Sequence, residues 1–378
     1  MPTLGTIARA WGRIGIVGFG GPPAHIALLR ELVVDRRRWM RPEQFEDGLA
    51  AVNLLPGPAS TQLAIFTAWR TGGPAAAVVG GLAFIVPGLV LIVALAALFL
   101  GSPPDWIRGA GAGAGSAVAA VAVHAGLLLL RPAWERASPD IRWRFVVYAV
   151  VGGVAAATLG PWLVAVLVAC GVVEVGWRRL AGGGLSISPH AALALVAASG
   201  GTMASLAWVA LKVGALSYGG GFVIIPLMQA DAVERYGWMT DAEFLNAVAL
   251  GQVTPGPVVH TVAVVGYAAA GVPGALLATT IAFAPSFAFV LVGARRFDRF
   301  VADRSVRAFF DGAGPAAIGA ILGSAVPLAL ALSEAWQWAV LAGAASALLV
   351  LRRGVVVTLL AAGVVGALAV VLGAPLDA

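Results

Sequence analysis

Asn53-Leu54-Leu55-Pro56-Gly57-Pro58-Ala59-Ser60-Thr61-Gln62 and Gln252-Val253-Thr254-Pro255-Gly256-Pro257-Val258-Val259-His260-Thr261 are one motif written twice. Trp39-Met40 and Phe45 precede the first copy; Trp238-Met239 and Phe244 precede the second. The interval is 199 residues each time (238 − 39 and 255 − 56). It extends upstream from Phe19-Gly20-Gly21 to Tyr218-Gly219-Gly220, and from Arg13 to Lys212. It extends downstream from Gly72, Pro74 and Phe84 to Gly271, Pro273 and Phe283. An ungapped match of this length marks an internal repeat. Proline removes an amide donor and clashes with the preceding turn. Each Pro-Gly-Pro therefore predicts a helix broken inside an apolar segment.

The surroundings of the motif are those of a membrane protein. Hydrophobic residues make up 60% of the 378 and charged residues only 11%, against about 25% charged in an average soluble domain. Runs such as 75–100 and 146–173 are long enough to cross a bilayer. The net charge of +6 comes from arginines between apolar runs, which is a topology signal rather than a nucleic-acid footprint. Lys212 is the only lysine and Cys170 the only cysteine, which excludes an intrachain disulfide and a cysteine metal site. No cleavable signal peptide is expected, because repeat sequence begins at once.

In chain order, a helix to about Gly18 is expected to break at Gly18–Pro23 and resume to about Val34. Pro42-Glu43-Gln44 opens the next segment, as proline and acid favour a helix start. That segment runs to about Trp69, with the first Pro-Gly-Pro inside it. Spans follow at about 75–100 and 109–130, then two short ones split at Gly160-Pro161. The plan predicts an N-terminal repeat (1–181), a linker with a short apolar segment (182–199) and a C-terminal repeat (200–378). His190–Ser199 fit the span count poorly. The expected fold is an all-α polytopic membrane protein of about 10 or more membrane segments.

Matched loops carry opposite charge. Arg30, Arg36, Arg37, Arg38 and Arg41 face an acidic counterpart in 231–243, with Asp231, Glu234, Asp241 and Glu243. Conversely, 295–307 holds five arginines where 101–108 holds one. Basic loops favour the cytoplasm, so the two repeats are expected in inverted topology. If each Pro-Gly-Pro segment is a re-entrant hairpin, every arginine-rich loop falls on one side. Inverted repeats with broken helices are a common plan for secondary transporters.

A break exposes backbone groups that an apolar layer tolerates only around a polar cavity or inside protein. Helix starts carry partial positive charge and bind oxyanions. The expected donors are near Ser60, Thr61 and Gln62, and near Val259, His260 and Thr261. Gly20-Gly21 and Gly219-Gly220 let backbone approach the same place. Arg13 and Lys212 add intramembrane cations. Together these point to a small, multiply charged tetrahedral anion. His25 and His260 are the proton-coupling candidates, since histidine titrates near neutrality. Glu174 and Asp311 read as span-end residues, and the loop arginines as headgroup contacts.

Phe19-Gly20-Gly21-Pro22, the Trp39-Met40 loop, Asn53–Pro58, Tyr218-Gly219-Gly220-Gly221 and Thr254-Pro255-Gly256-Pro257 resemble the chromate ion transporter (CHR) family, in its two-domain form. The resemblance covers nearly the whole chain. It implies export of chromate across the bacterial cytoplasmic membrane, driven by the proton-motive force, with chromate resistance as outcome and sulfate as a look-alike substrate. Its motif positions map to Gly20, Gly21, Pro56, Gly57, Pro58, Gly219, Gly220, Pro255, Gly256 and Pro257. Asn53 and Gln252-Val253-Thr254 depart from one another, so the halves are not interchangeable.

Simpler readings compete at several of these positions. Glycine pairs are common packing devices in membrane helices. Arg13 is near the chain start, where an arginine snorkels to headgroups. An oxyanion channel or passive exchanger would use the same half-helix site. An enzyme would need a nucleophile with base, a carboxylate pair or a metal cluster, and none is spaced for it. The expected partners are therefore an oxyanion, protons and membrane lipid, with no cofactor, metal or nucleic acid. A homodimer is compatible with this plan.

Overall fold

A computed structural model describes residues 2–52, 57–159, 162–180, 201–217, 224–293 and 303–376. Among them every regular element is helical. The Gly160-Pro161 split, the 182–199 linker and the arginines at 295–299 lie outside the described residues.

Helix α1 (Leu4–Val17) starts at Thr3, whose hydroxyl accepts the Thr6 amide, and stops at Gly18, as expected. Helix α2 (Pro22–Arg30) opens on two prolines and winds into a π turn at Glu31–Arg36. Helix α3 (Pro42–Val52) leads into the first break, and α4 (Ala59–Phe99) leaves it. Then come α5 (Asp105–Ser116), α6 (Val118–Arg136), α7 (Arg142–Thr158) and α8 (Leu163–Leu180). The order recurs as α9 (Thr202–Leu216), α10 (Ile224–Gln229) with a π turn at Ala230–Arg235, and α11 (Asp241–Val253). The π turn sits 199 residues after its counterpart (230 − 31). Beyond the second break run α12 (Thr261–Gly293), α13 (Arg304–Leu330), α14 (Ala335–Ala345) and α15 (Val355–Val371).

Helix α4 is not one rod. Gly72 (φ −150°, ψ 16°) and Gly73 (φ 79°, ψ −166°) leave helical geometry. A Cβ on Gly80 would lie 2.6 Å from Ala68 Cβ, and one on Gly81 2.8 Å from Ile65 Cγ1. On a straight helix those residues would stand about 18 and 24 Å apart. The chain therefore reverses at Gly72-Gly73, and Pro74 opens the returning arm, where its missing amide is harmless. Helix α12 reverses the same way at Ala270 (φ −157°) and Gly271 (φ 61°), which brings Gly266 and Gly274 together. The first arm of α4 (59–71) also folds back on α3: a Cβ on Gly48 would lie 2.8 Å from Phe66 Cδ1. Gly251 meets Thr261 across the second break. On either side of each break the flanking helices thus fold back as a hairpin.

One detail of the repeat register is corrected. Gly15 of α1 abuts the Phe84 carbonyl, but its counterpart Gly214 abuts Ala282, not Phe283. Past the reversal the interval is 198 (282 − 84), because α12 turns one residue earlier. That places Pro87 and Pro285 at equivalent points, rather than Phe84 and Phe283.

The two halves interlock. Helices α4 and α12 pack on each other at the centre, with α1 against α4 and α9 against α12. Helix α13 of the second half lies on α6, α7 and α8 of the first, and α15 lies on α5. One hydrophobic core runs from Ile7 to Ala362 and draws on both halves. Four helical stretches among the described residues are long and apolar enough to cross a membrane: Ala59–Phe99, Asp105–Arg136, Val258–Val292 and Arg304–Leu330. This is a multi-pass membrane protein.

Close approach of α7 and α13 depends on small residues, as in other membrane helix pairs. A Cβ at Gly152 would overlap the Ala316 carbonyl, and one at Gly319 the Ala149 carbonyl. Gly319→Leu should therefore destabilise the protein by about 1–3 kcal/mol, read as an earlier loss of the monodisperse peak on heating detergent-solubilised protein. Exposed Gly343, with open space around it, should accept Ala without loss.

Candidate functional site

The half-helices that follow the breaks are enclosed on every side. Each residue from Gly57 to Ala68 is buried, and so is each from Thr254 to Gly266. A helix shielded all round belongs in the protein interior. Trp11 fixes the first of them, donating its indole N–H to the Ala64 carbonyl at 2.8 Å.

Each Pro-Gly-Pro packs on the long helix of the other half. Gly256 (φ 99°) lies against Gly88 of α4, and Gly57 (φ 121°) lies against Ser286 of α12. Only glycine takes these backbone angles without strain. Gly88 and Ser286 stand at the 198-residue interval, so the two contacts are equivalent. The Gly256 amide also donates to the Gly18 carbonyl at 3.0 Å. His25 Nε2 donates to the same carbonyl at 2.9 Å. A carbonyl only accepts, so Nε2 carries the proton, and the buried Nδ1 is left without a partner. Gly21 faces Val258 across this junction. The break after α1 and the second Pro-Gly-Pro are therefore one structure.

His260 sits against Gly256, fully buried, with its ring edge-on to Phe283. His25 takes the same posture against Phe84. The two imidazoles, from different halves, lie within electrostatic reach of each other. Neither nitrogen of His260 makes a hydrogen bond of normal geometry, although the Ile85 carbonyl is close. Thr61 holds the same place in the first copy (260 − 61 = 199), and its hydroxyl is likewise buried without a partner. Gln252 Nε2 and Ser286 Oγ share that condition. Buried polar atoms are normally satisfied, so a set without protein partners beside two breaks is what a polar substrate path requires.

The amide donors differ from those expected. Thr61 and Gln62 amides both bond the Pro58 carbonyl at 3.0 Å. His260 bonds Pro257, and Thr261 bonds Val258 and Val259. The half-helices begin winding at once, and α12 does so through a 3-10 turn at Val258–His260. The amides with no acceptor inside the helix are those of the first two residues: Ala59 and Ser60, and Val258 and Val259. The Thr254 and Thr261 hydroxyls are also engaged, with Leu250 and Val258.

The sequence profile of the chromate transporter family matches residues 5–175 and 204–367. The chain is 31% identical over 340 residues to a chromate transport protein of Cupriavidus metallidurans, covering 86% of this chain and 83% of that one. It is 31% identical over 360 residues to a chromate transport protein of Pseudomonas aeruginosa, with coverage of 85% and 80%. A probable chromate transport protein of Synechococcus elongatus is 29% identical over 338 residues, with coverage of 86% and 84%. The chain belongs to the chromate transporter family. No solved structure matches it.

Of the remaining candidates in this chromate-transporter family member, Asn53, Pro56, Tyr218, Gly219 and Gly220 lie outside the described residues. Pro58, Ser60, Pro255 and Pro257 are buried at the breaks. Gly20 (φ 98°) and Arg13 are exposed. Lys212 is buried, and its ammonium is bonded to the Asp231 carboxylate, with Arg235 at 3.9 Å from the other oxygen. The first half has Leu32 where the second has Asp231 (231 − 32 = 199). Without an acid to pair with, Arg13 stays outside, because an uncompensated buried charge is costly.

One sequence expectation changes. Glu174 is no boundary residue; it is fully buried on α8. Arg144 grips it at 2.8 and 3.1 Å, Arg178 at 2.8 Å, and the Tyr148 hydroxyl donates at 3.2 Å. Arg178 also bonds Asp311 of α13 at 2.7 Å. Asp231, Glu174 and Ser286 carry no motif that would expose them in the sequence. Lone acids in apolar segments were the available signal, and it singled out neither partner.

Removing one member of a buried pair costs about 3–5 kcal/mol, whereas replacing both by apolar residues is often neutral. Lys212→Met alone should destabilise strongly, and Lys212→Met with Asp231→Leu should recover most of the loss. Thermal stability in detergent reads the pair. Transport surviving in the double variant would remove Lys212 from the substrate site.

Proposed function

We propose that this protein exports chromate from the bacterial cytoplasm across the inner membrane, coupled to proton entry, and so confers chromate resistance. The observation that carries the reading is that two proline-broken half-helices, one per half, each start against the long helix of the other half, where α4 packs on α12. Both starts are positive ends of helix dipoles, and both are wrapped in protein. A tetrahedral dianion with hydrogen-bond acceptors on all sides suits the Ala59–Ser60 and Val258–Val259 amides, the Thr61 hydroxyl and the Gln252 amide. Sulfate has the same charge and shape, so it competes and is carried.

In this reading the halves are inverted repeats, and each Pro-Gly-Pro hairpin enters and leaves the membrane on its own side. The arginine bias of the loops supports that arrangement. The fold-back of α3 on the first arm of α4 supports it too. Access alternates as one half rocks against the other. His260 lies against Gly256 and His25 shares the Gly18 carbonyl with the Gly256 amide, so a proton arriving on either imidazole adds charge where the anion binds. That placement couples proton occupancy to anion affinity, with opposite loading on the two sides of the membrane.

Inside-out vesicles test the proposal directly. Labelled chromate should accumulate, accumulation should collapse with a protonophore, and excess sulfate should compete. Uptake indifferent to the protonophore would make the protein a passive exchanger or channel. Movement of sulfate but not chromate would reject the substrate and keep the site. Pro56-Gly57-Pro58→Ala-Ala-Ala should rebuild a continuous helix and abolish uptake, while protein content of the membranes is unchanged. His260→Gln should lower the protonophore-sensitive component by about a hundredfold, the low end of what a positioned acid–base group contributes.

A further inference from the structure

Hydroxyl groups on the helices of this chain commonly satisfy themselves. Thr67, Thr71, Ser116, Thr279, Ser324 and Thr358 each donate to a carbonyl three or four residues earlier, at 2.6 to 3.0 Å. Such back-bonding is open to any helical serine or threonine. Ser286 of α12 departs from it. Its side chain is fully buried, yet its Oγ makes no hydrogen bond. The Oγ lies instead 3.4 Å from where a Cβ on Gly57 would stand, so the hydroxyl faces the first Pro-Gly-Pro. Thr61, in the first turn after that break, is also fully buried with its hydroxyl unpaired. Ser217 at the end of α9 shares the condition. A buried donor left unpaired costs free energy. Ser286 and Thr61 bring that cost to one break from opposite halves.

The second break is built differently. Its partner helix presents Gly88, where a Cβ would overlap the Pro255 carbonyl. No side chain fits at that place. His260 stands where Thr61 stands, and the Thr254 and Thr261 hydroxyls are engaged. Of the described residues in and against the two breaks, only those of the first carry an unpaired buried hydroxyl. Gly57 and Ala59 also line a cavity of about 790 Å³. Open space therefore reaches the glycine that Ser286 touches, and the residue whose amide has no acceptor inside its helix.

We propose that Ser286 is a substrate-binding residue, whose hydroxyl reaches from the second half to the first break and donates to the oxyanion there. The inference rests on the oxyanion-transport reading above and adds to it a ligand from the opposite half. The Ala59 and Ser60 amides and the Thr61 hydroxyl belong to the first half; Ser286 belongs to the second. A tetrahedral oxyanion has acceptors on all sides, so it takes donors from both halves at once. Gly57 has no side chain to stand between them, and the Gln62 amide that lies over Gly57 borders the same space. An anion held this way joins the halves across the break. When one half rocks against the other, Ser286 draws away and a charge-assisted hydrogen bond, one of the strong kind, is lost. The unpaired hydroxyl of the empty protein is the counterpart of a bond that forms only with substrate.

The test uses full-length protein, in inside-out vesicles for labelled-chromate uptake and in detergent for melting. Ser286→Ala deletes a single oxygen. It should raise KM by about ten- to a hundredfold, the worth of one hydrogen bond to a charged group. Without chromate the variant should melt no earlier than wild type, because the hydroxyl bonds nothing in the protein. Its stabilisation by added chromate should shrink. Thr279→Val removes a hydroxyl of the same helix that is committed to the Ala275 carbonyl, and it should leave KM unchanged. A wild-type KM in Ser286→Ala, with wild-type uptake intact, would overturn the assignment. So would an earlier melt without chromate, which would make the hydroxyl a structural one. An equal rise in KM in Thr279→Val would do the same, since any lost hydroxyl on α12 would then suffice. Wild-type vesicles that move neither chromate nor sulfate would instead overturn the transport reading, and the role of Ser286 with it.

Discussion

Backbone that leaves the helix within an apolar layer must be enclosed by protein, because lipid supplies no hydrogen bonds. Nearly every packing choice in this fold answers that constraint. The reversals at Gly72-Gly73 and Gly271 turn α4 and α12 into paired arms, which wrap the half-helices in their own continuation. The outer helices α1 and α9 cover the other side. The broken tips then rest on the partner half, where Gly88 gives the Pro255 carbonyl room. Close contact between backbone segments replaces the water that a break at a soluble surface would have.

The Gly18 carbonyl shows how economical the junction is. It ends α1, receives the Gly256 amide and orients His25. One acceptor thereby ties the first break of one half to the Pro-Gly-Pro of the other. Movement between halves must strain or release this bond, and it would disturb a histidine as it did so. The second half shows a different asymmetry: Lys212 and Asp231 carry a charge pair inward, where the first half keeps Arg13 outward and Leu32 inward. Two halves with one sequence pattern are thus electrostatically distinct.

The breaks were legible in the sequence because proline and glycine state a backbone requirement locally. The same holds for the ends of α1, α3, α9 and α11, and for the repeat of 199. The one-residue shift past the reversals was not legible, since Phe84 and Phe283 match in sequence while α1 and α9 settle on Phe84 and Ala282. Side-chain chemistry was read less well than backbone. His25 and His260 stood out singly, but nothing in the chain says that both gather at the junction of Gly18 with Gly256. Thr61 and Gln62 were credited with free amides that the first helical turn already engages. Glu174 looked like a span end because its partner Arg144 is 30 residues away (174 − 144), and Asp311, which shares Arg178 with it, is 137 away (311 − 174). Ion pairs of that separation leave no periodic trace.

The electrostatics of the junction also argue for the sign of the cargo. Each half-helix start is buried at its break and carries about half a positive charge, which a low-dielectric interior screens little. The described side chains that surround them are neutral or basic: Thr61, Gln252, Ser286, His25 and His260. The nearest carboxylates described above are committed elsewhere, Asp231 to Lys212 and Glu174 to two arginines. A cation beside either start would add to its positive charge, whereas an anion would offset it.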